Sequence, residues 1–150
     1  MNAEEKITKI IHSFREVNRF YYKQMWHHAD DLGITVVQLQ TMKHISEHPN
    51  ISLQELAEKM NISKSTVSST VDRLVKASFL RREQSTSDRR AINLNLTEEG
   101  KQKEAEGKKL FFARLHELSE VSDEDTESLF RLHQLIIEKL TTERSDRYEG

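Results

Sequence analysis

The chain has 150 residues, of which 32% are charged and 35% hydrophobic, with no cysteine and a formal net charge of −2. This length supports one domain with a proper core and leaves little room for a second. No stretch approaches the roughly 18 apolar residues of a membrane span, and the first residues lack the apolar segment of a secretory signal. We therefore expect a single cytoplasmic domain without membrane contacts, disulfides or thiol chemistry.

The charges are unevenly distributed along the chain. Between Ser63 and Asn95, seven basic residues accompany three acidic ones, a local charge of +4, while the rest of the chain holds 16 basic and 22 acidic residues, or −6. A basic segment within an acidic chain indicates a localised surface for a polyanion, which the overall charge conceals.

Apolar residues at three- and four-residue spacing predict a long amphipathic helix from about Glu4 to about Ala29. Its apolar positions are Ile7, Ile10, Ile11, Phe14, Val17, Tyr21 and Met25. Thr35 followed by Gln38 has the spacing of a capping box and opens a second helix, which Pro49 ends.

Two short helices joined by a tight turn are predicted next. Ser52 and Glu55 have the capping-box spacing for a helix that stops at Asn61, and Ser63 can cap the helix that follows. The apolar positions of this following helix are Val67, Val71, Leu74 and Val75.

The opposite face of that helix is small, hydroxylated and basic. At 100° per residue it carries Ser65, Ser69, Arg73 and Lys76, flanked by Thr66 and Asp72. Short side chains let a helix approach the floor of the major groove, while hydroxyl and basic groups bind bases and phosphates. An ordinary solvated face is the alternative interpretation. Such a face would favour better helix formers than Ser and Thr, so we predict a recognition helix.

A β-hairpin is predicted directly after this helix. Its strands are Phe79–Glu83 and Ala91–Leu96, the second with alternating apolar residues of a half-buried strand, and its turn is Gln84–Arg90. A helix pair followed by a hairpin predicts a winged helix-turn-helix over residues 35–100.

The tip of this wing carries Asp88, Arg89 and Arg90. A wing beside a groove-inserted helix reaches the neighbouring minor groove, where narrow A·T-rich stretches attract arginine. We expect the arginines to probe that groove. An acid at a DNA surface lowers affinity unless it orients a basic group, so Asp88 is interpreted as a positioning residue.

The remaining third of the chain is predicted to be helical. Thr97 can cap a helix that runs through Leu118, and Ser122 with Asp125 opens the last one. Segments 1–30 and 101–145 carry more apolar surface than a winged helix of this size needs for its core. We predict that they are dimerisation helices, since a two-fold operator requires a two-fold protein. A larger monomeric core is the alternative.

The segment from Leu53 to Gly100 resembles the MarR family of bacterial transcriptional regulators, and the resemblance extends over nearly the whole chain. The matching positions are Asp88, Arg90, Leu96, Thr97 and Gly100. The resemblance implies a mainly α fold with a small β-hairpin wing, and a homodimer that binds a palindromic double-stranded DNA operator. Family members often carry glycine just after the recognition helix. Here that stretch reads Lys76-Ala77-Ser78-Phe79, which would strain a left-handed cap.

The resemblance also assigns expected roles to individual residues. Ser65, Thr66 and Ser69 would face bases and Arg73 the backbone, and Arg90 is favoured over Arg89 for the minor groove. The predicted DNA-binding residues are Ser63, Lys64, Ser65, Thr66, Ser69 and Arg73 in the recognition helix and Asp88, Arg89 and Arg90 in the wing.

A repressor released by a small aromatic or anionic ligand is the regulation that the resemblance implies. The ligand would enter a cleft between the dimerisation helices and the winged domain. Candidate cleft residues are His12, Tyr21, Trp26 and His44. We predict neither a cofactor nor a metal.

Two other functions stay open as alternatives. Trp26–Asp31 concentrates His27, His28 and two aspartates, which are metal-ligand types, so a metal-responsive regulator is possible with further ligands from His12, His44 or His48. Successive helical side chains diverge by about 100°, however, which separates His27 from His28.

A winged helix that binds protein is the second alternative, but it should expose aromatic or leucine side chains on the recognition face. No phosphate-binding Gly-rich loop or nucleophilic serine motif indicates an enzyme.

Overall fold

The computed structural model describes residues 1–88 and 91–145, with side chains to residue 141. The helices in this part of the chain are α1 (Ala3–Asp31), α2 (Val36–Glu47), α3 (Leu53–Met60), α4 (Lys64–Lys76), α5 (Glu98–Arg114) and α6 (Asp123–Ser145). The strands are β1 (Leu80–Gln84) and β2 (Ile92–Leu96), which pair as an antiparallel hairpin. This is the predicted mainly α fold with a small hairpin wing. Across the described residues, none of the helices has the length and apolar character needed to cross a bilayer.

The chain forms two compact units. The first, Met1–Arg114, contains α1 to α5 and the hairpin. The second begins at Leu115 and contains a short 3-10 helix, His116–Glu120, followed by α6. The helix predicted to run from Thr97 through Leu118 therefore ends earlier, at Arg114.

Local hydrogen bonds at the helix starts follow the predicted caps. At α2, the Gln38 N–H donates to the Thr35 hydroxyl at 3.1 Å and the Thr35 N–H donates to the Gln38 side chain at 2.9 Å, a complete capping box. At α3 the box is only half formed. The Ser52 hydroxyl accepts the Glu55 N–H at 3.1 Å, but the described contacts include no bond from the Ser52 N–H to the Glu55 side chain. Asn2 caps α1 with a second complete box, which was not predicted.

A hydrophobic core joins α2, α3, α4 and the hairpin. Its buried members are Met42, Ile45, Ile51, Leu56, Ala57, Val67, Val71, Leu74, Leu80, Leu94 and Leu96. The helical positions follow the predicted three- and four-residue spacing, because a helix buries one stripe of its surface. This core fixes the rotation of α4 about its axis.

The hairpin differs slightly from the predicted one. Its first strand is shifted by one residue, and the register pairs Leu80 with Leu96 and Gln84 with Ile92. Ile92 is 51% exposed, because the hairpin extends beyond the core at that end. Outside the two strands, Ile51 forms an isolated antiparallel bridge with Leu94. This bridge, which connects the residues after α2 to the wing, was not predicted.

The turn after α4 takes the left-handed conformation without glycine. Ser78 has φ 65°. Its N–H donates to the Val75 carbonyl at 3.0 Å, and the Phe79 N–H donates to the Leu74 carbonyl at 2.9 Å. These two bonds satisfy carbonyls at the helix end as in a Schellman motif. The left-handed cap, which the missing glycine put in doubt, is therefore present with a non-glycine residue.

Candidate nucleic-acid interface

Helix α4 presents a polar face to solvent because its other face is locked into the core. Val67, Val71 and Leu74 are at most 1% exposed. The residues exposed on the opposite side and its flanks are Ser65, Thr66, Ser69, Asp72, Arg73 and Lys76. Thr70, which the apolar pattern omitted, is also buried and donates its hydroxyl to the Thr66 carbonyl at 2.8 Å. The side chains selected from sequence thus share one accessible helix face.

Hydroxyl groups cluster at the first turn of α4. The Ser63 hydroxyl accepts the Thr66 N–H at 3.2 Å and lies 2.7 Å from the Thr66 hydroxyl and 3.2 Å from the Ser65 hydroxyl. Lys64 is exposed beside them. The positive end of the helix dipole and these donors favour an anion such as phosphate. Ser63 therefore has a defined structural role as the cap that orients this turn.

Two of the basic residues counted in the segment are paired with acids. Arg82 of β1 forms an ion pair with Asp72 of α4, and Arg81 pairs with Glu83 on the same strand. Both pairs are exposed, so each contributes little to stability. The Arg82–Asp72 pair does, however, join the wing to the recognition helix, a contact that the sequence did not indicate.

Hydrogen bonds of the Ser85 side chain shape the start of the wing tip. Its hydroxyl accepts the N–H groups of Ser87 and Asp88, each at 3.3 Å. The Asp88 carbonyl accepts the Ala91 N–H at 3.1 Å, which closes the turn. Asp88 is exposed, while Arg89 and Arg90 lie outside the described residues.

The comparisons with known proteins agree with this architecture. A model of the MarR family matches residues 34–92. The HTH-type transcriptional repressor MdtR of Bacillus subtilis (strain 168) is 30% identical over 116 residues, which cover 75% of this chain and 75% of MdtR. The chain belongs to the MarR family. It is therefore a MarR family transcriptional regulator, as the resemblance of Leu53–Gly100 implied.

Solved structures share the MarR family fold. A mutant of MarR from E. coli, complexed with operator DNA, aligns with a TM-score of 0.75 over 91% of this chain and 99% of its own, at 19% identity. BldR from Sulfolobus solfataricus aligns with a TM-score of 0.74 over 92% and 99%, at 20% identity. A mutant of MepR from S. aureus bound to an oligodeoxyribonucleotide aligns with a TM-score of 0.62 over 87% and 97%, at 20% identity. At these identities the likeness shows the fold.

The histidines of Trp26–Asp31 do not converge in this MarR family member. His27 is exposed, whereas His28 is 1% exposed and stacks edge-on against Phe111 with ring centroids 6.0 Å apart. Burial and the Arg114 guanidinium lower the pKa of His28 below its ordinary value, against an opposing hydrogen bond with the Gly107 backbone. A metal cluster at this segment is therefore absent from the described residues.

The candidate cleft residues have different environments. His12, Tyr21 and Trp26 are exposed on α1, and Trp26 is 66% accessible. His44 is half-buried on α2.

Proposed function

We propose that the protein is a homodimeric, sequence-specific repressor that binds palindromic double-stranded DNA through α4 and the wing. The exposed face of α4 carries this proposal, because it combines short hydroxylated side chains with Arg73 and Lys76 on a helix whose rotation the core fixes. In this proposal Ser65, Thr66 and Ser69 contact bases and Arg73 contacts phosphate. The family membership and the DNA-bound relatives of the same fold support it.

The first test is selection of bound fragments from a randomised duplex library at two salt concentrations. We expect a palindromic motif with half-sites about one helical turn apart, bound more weakly at high salt because counterions are released. Recovery of weak, salt-sensitive binding without a motif would contradict base readout. A partner captured in place of DNA would instead favour a protein-binding winged helix.

Ser69→Glu tests the orientation of α4 on DNA. The added carboxylate would face phosphates, so binding to all sequences should weaken, whereas Ser69→Ala removes only a hydroxyl and should weaken binding far less. Fluorescence anisotropy with the selected operator measures both, after circular dichroism shows that the variants are folded. Equal, unchanged affinity of the two variants would mean that α4 presents another face.

Arg90→Ala tests the wing, in which we also propose that Arg89 reaches the minor groove and that Asp88 orients a basic group. Loss of one cationic contact should weaken binding and reduce the slope of log affinity against log salt by about one unit. Arg15→Ala removes the same charge from the exposed surface of α1 and should leave the slope unchanged. If Arg90→Ala behaves like Arg15→Ala, the wing does not bind DNA.

We propose that the exposed apolar residues of α1 and α6 are buried against a second copy. On α1 these include Ile7, Ile11, Phe14, Val17 and Tyr21, and on α6 they include Leu129, Leu132, Leu135 and Leu140, each at least 40% exposed. Soluble proteins rarely leave such continuous apolar stripes in water.

Analytical ultracentrifugation tests the dimer. Phe14→Arg and Leu132→Arg should shift the protein toward monomer, because each places a charge in an apolar interface. Ile92→Arg makes the same change at an exposed apolar residue of the wing and should leave the dimer intact. A monomeric wild-type protein would refute the proposal.

Release of the operator by a small aromatic or anionic ligand is the regulation that we propose. A panel of aromatic carboxylates, added to the protein–operator complex, should contain members that lower operator affinity in a saturable manner, and their binding should be weakened by operator in turn. If the same ligands lower the affinity for an unrelated duplex equally, at matched ionic strength, the loss of operator affinity is a salt effect only.

A further inference from the structure

The C-terminal end of α2 brings three metal-ligand side chains together. His44, Glu47 and His48 each offer a ligand atom, and these atoms all lie within 4.8 Å of one another. Among the described residues, three or more such side chains come close enough to hold one ion only in this group. In the chain, this group is separate both from α4 and from the histidines of Trp26–Asp31.

Helix geometry explains the convergence. Residues three and four positions apart lie on the same face of a helix, which places Glu47 and the start of the C-cap on the side of His44. His48 is the C-cap of α2: its N–H still donates to the His44 carbonyl at 2.9 Å, but its backbone has left the helical conformation, with φ −130° and ψ 74°. The last turn of α2 and its C-cap together therefore bring His48 beside Glu47, although the two residues are adjacent in the chain.

The electrostatics at this helix end favour a cation. The C-terminus of a helix carries partial negative charge from its free carbonyls, and Glu47, the last residue of α2, adds a carboxylate there. An acidic side chain is unfavourable at this position when it is alone, because it faces the negative end of the helix dipole. A bound cation would remove that conflict.

The environment of His44 gives a second, independent indication. Its Nδ1 atom is buried, and among the described residues it has no hydrogen-bond partner. Buried polar atoms in proteins normally have one, and a bound ion is one way to supply it. Glu47 and His48 are exposed, so an ion can reach the group from solvent.

The ligand types select the class of metal. Two imidazoles and one carboxylate suit a borderline transition-metal ion, whereas Mg²⁺ and Ca²⁺ prefer oxygen ligands throughout. The same His₂Glu set is found in open zinc sites that keep a position for water. Tetrahedral Zn²⁺ with ligand bonds of about 2.1 Å places ligand atoms about 3.4 Å apart. The ligand atoms already lie within 4.8 Å of one another, and rotation of the two exposed side chains can bring them to this spacing.

We propose that His44, Glu47 and His48 form a binding site for a divalent transition metal, with Zn²⁺ as the best-fitting ion. The site assigns His44 to a metal instead of an effector cleft. It does not depend on DNA binding, because its ligands belong to the last turn of α2 and its C-cap and not to α4 or the wing.

The surroundings give the site a structural consequence. Two residues beyond His48, the Asn50 N–H donates to the Asn95 side chain at 3.0 Å, and the Asn95 amide donates to the Asn50 side chain at 2.9 Å. The neighbouring Ile51 bridges to Leu94. The proposed site therefore lies next to the segment after α2, Asn50–Ile51, which is hydrogen-bonded to strand β2 at the base of the wing.

Competition with a chromophoric zinc indicator tests the site on the full-length protein, after treatment with a chelator and removal of that chelator. The wild-type protein should withdraw one Zn²⁺ per chain from the indicator. His48→Gln and Glu47→Gln, which change exposed side chains, should each weaken Zn²⁺ binding by at least about 10- to 100-fold, the loss typical even of residues that only support metal ligands. His44→Gln should do the same.

His27→Gln is the matched control, because it removes an exposed imidazole from the rival histidine pair on α1. Its affinity for Zn²⁺ should equal that of the wild type. The proposal is wrong if the wild type leaves Zn²⁺ on the indicator, if the His48 and Glu47 variants bind as the wild type does, or if His27→Gln alone lowers the affinity. Since DNA is absent from the assay, a failure here leaves the proposed repressor function untouched.

Discussion

Replacement of Ser78 by glycine should stabilise the protein, because Ser78 takes the left-handed conformation at the end of α4, with φ 65°. A residue with a Cβ in this conformation costs about 1–2 kcal/mol, whereas glycine adopts it freely. Glycine also makes the unfolded chain more flexible, and this offsets about 0.4–1 kcal/mol of the stability gained by relieving the left-handed strain. Ser78 is exposed, so little side-chain contact is lost. We expect Ser78→Gly to raise the free energy of unfolding by about 0.5–1 kcal/mol.

Urea unfolding followed by circular dichroism measures this difference at one fixed protein concentration, since a dimer would make stability depend on concentration. The midpoint should rise without a change in slope. Ser69→Gly is the control, because the same substitution in the right-handed interior of α4 should lower stability by about 0.5–1 kcal/mol. If both variants are destabilised to the same extent, Ser78 is not strained and the reasoning from its φ angle fails.

Two further changes test the first unit. A Cβ at Gly100 would lie 2.0 Å from the Phe79 carbonyl oxygen, so Gly100→Ala should reduce thermal stability by about 2 kcal/mol or more, as overpacking does; at Gly107 the nearest contact is a flexible leucine side chain at 3.1 Å, so Gly107→Ala should change it much less. Equal effects would contradict the close approach at Phe79. Because the pKa of His28 is lowered on folding, the unfolded chain binds more protons below the ordinary histidine pKa of about 6.5, and stability should fall as the pH decreases through that range. His28→Gln should flatten this dependence in unfolding titrations, and an equal effect of His27→Gln would show that burial is not the cause.

The predictions that were confirmed from sequence rest on local hydrogen bonds and on helical periodicity. Thr35 with Gln38 and the cap at Ser63 involve partners three residues apart, so their spacing is visible in the sequence. The apolar stripe of α4 likewise predicted its rotation and therefore its exposed face. The DNA-binding roles assigned to that face stay predictions.

Some local features were missed although their spacing was available. His44 lies three residues before Glu47 and four before His48, yet from the sequence only the two histidines were named, as further ligands for a metal at Trp26–Asp31. Adjacent side chains inside a helix, such as His27 and His28, point about 100° apart. Glu47 and His48 are also adjacent, but they converge because the backbone leaves the helical conformation at His48. The second capping box, at Asn2, had the same kind of visible spacing.

Residue spacing along the chain was enough to predict most of the helices, the caps at Thr35 and Ser63 and the polar face of α4, since these depend on interactions within one or two helical turns. The Arg82–Asp72 ion pair, the bridge from Ile51 to Leu94 and the fit of Gly100 beneath the Phe79 carbonyl came from the packing of separate elements. These contacts join elements whose distance in space depends on how α2, α4 and the hairpin share one core. Register and close approach are properties of that packing, which residue spacing along the chain does not encode.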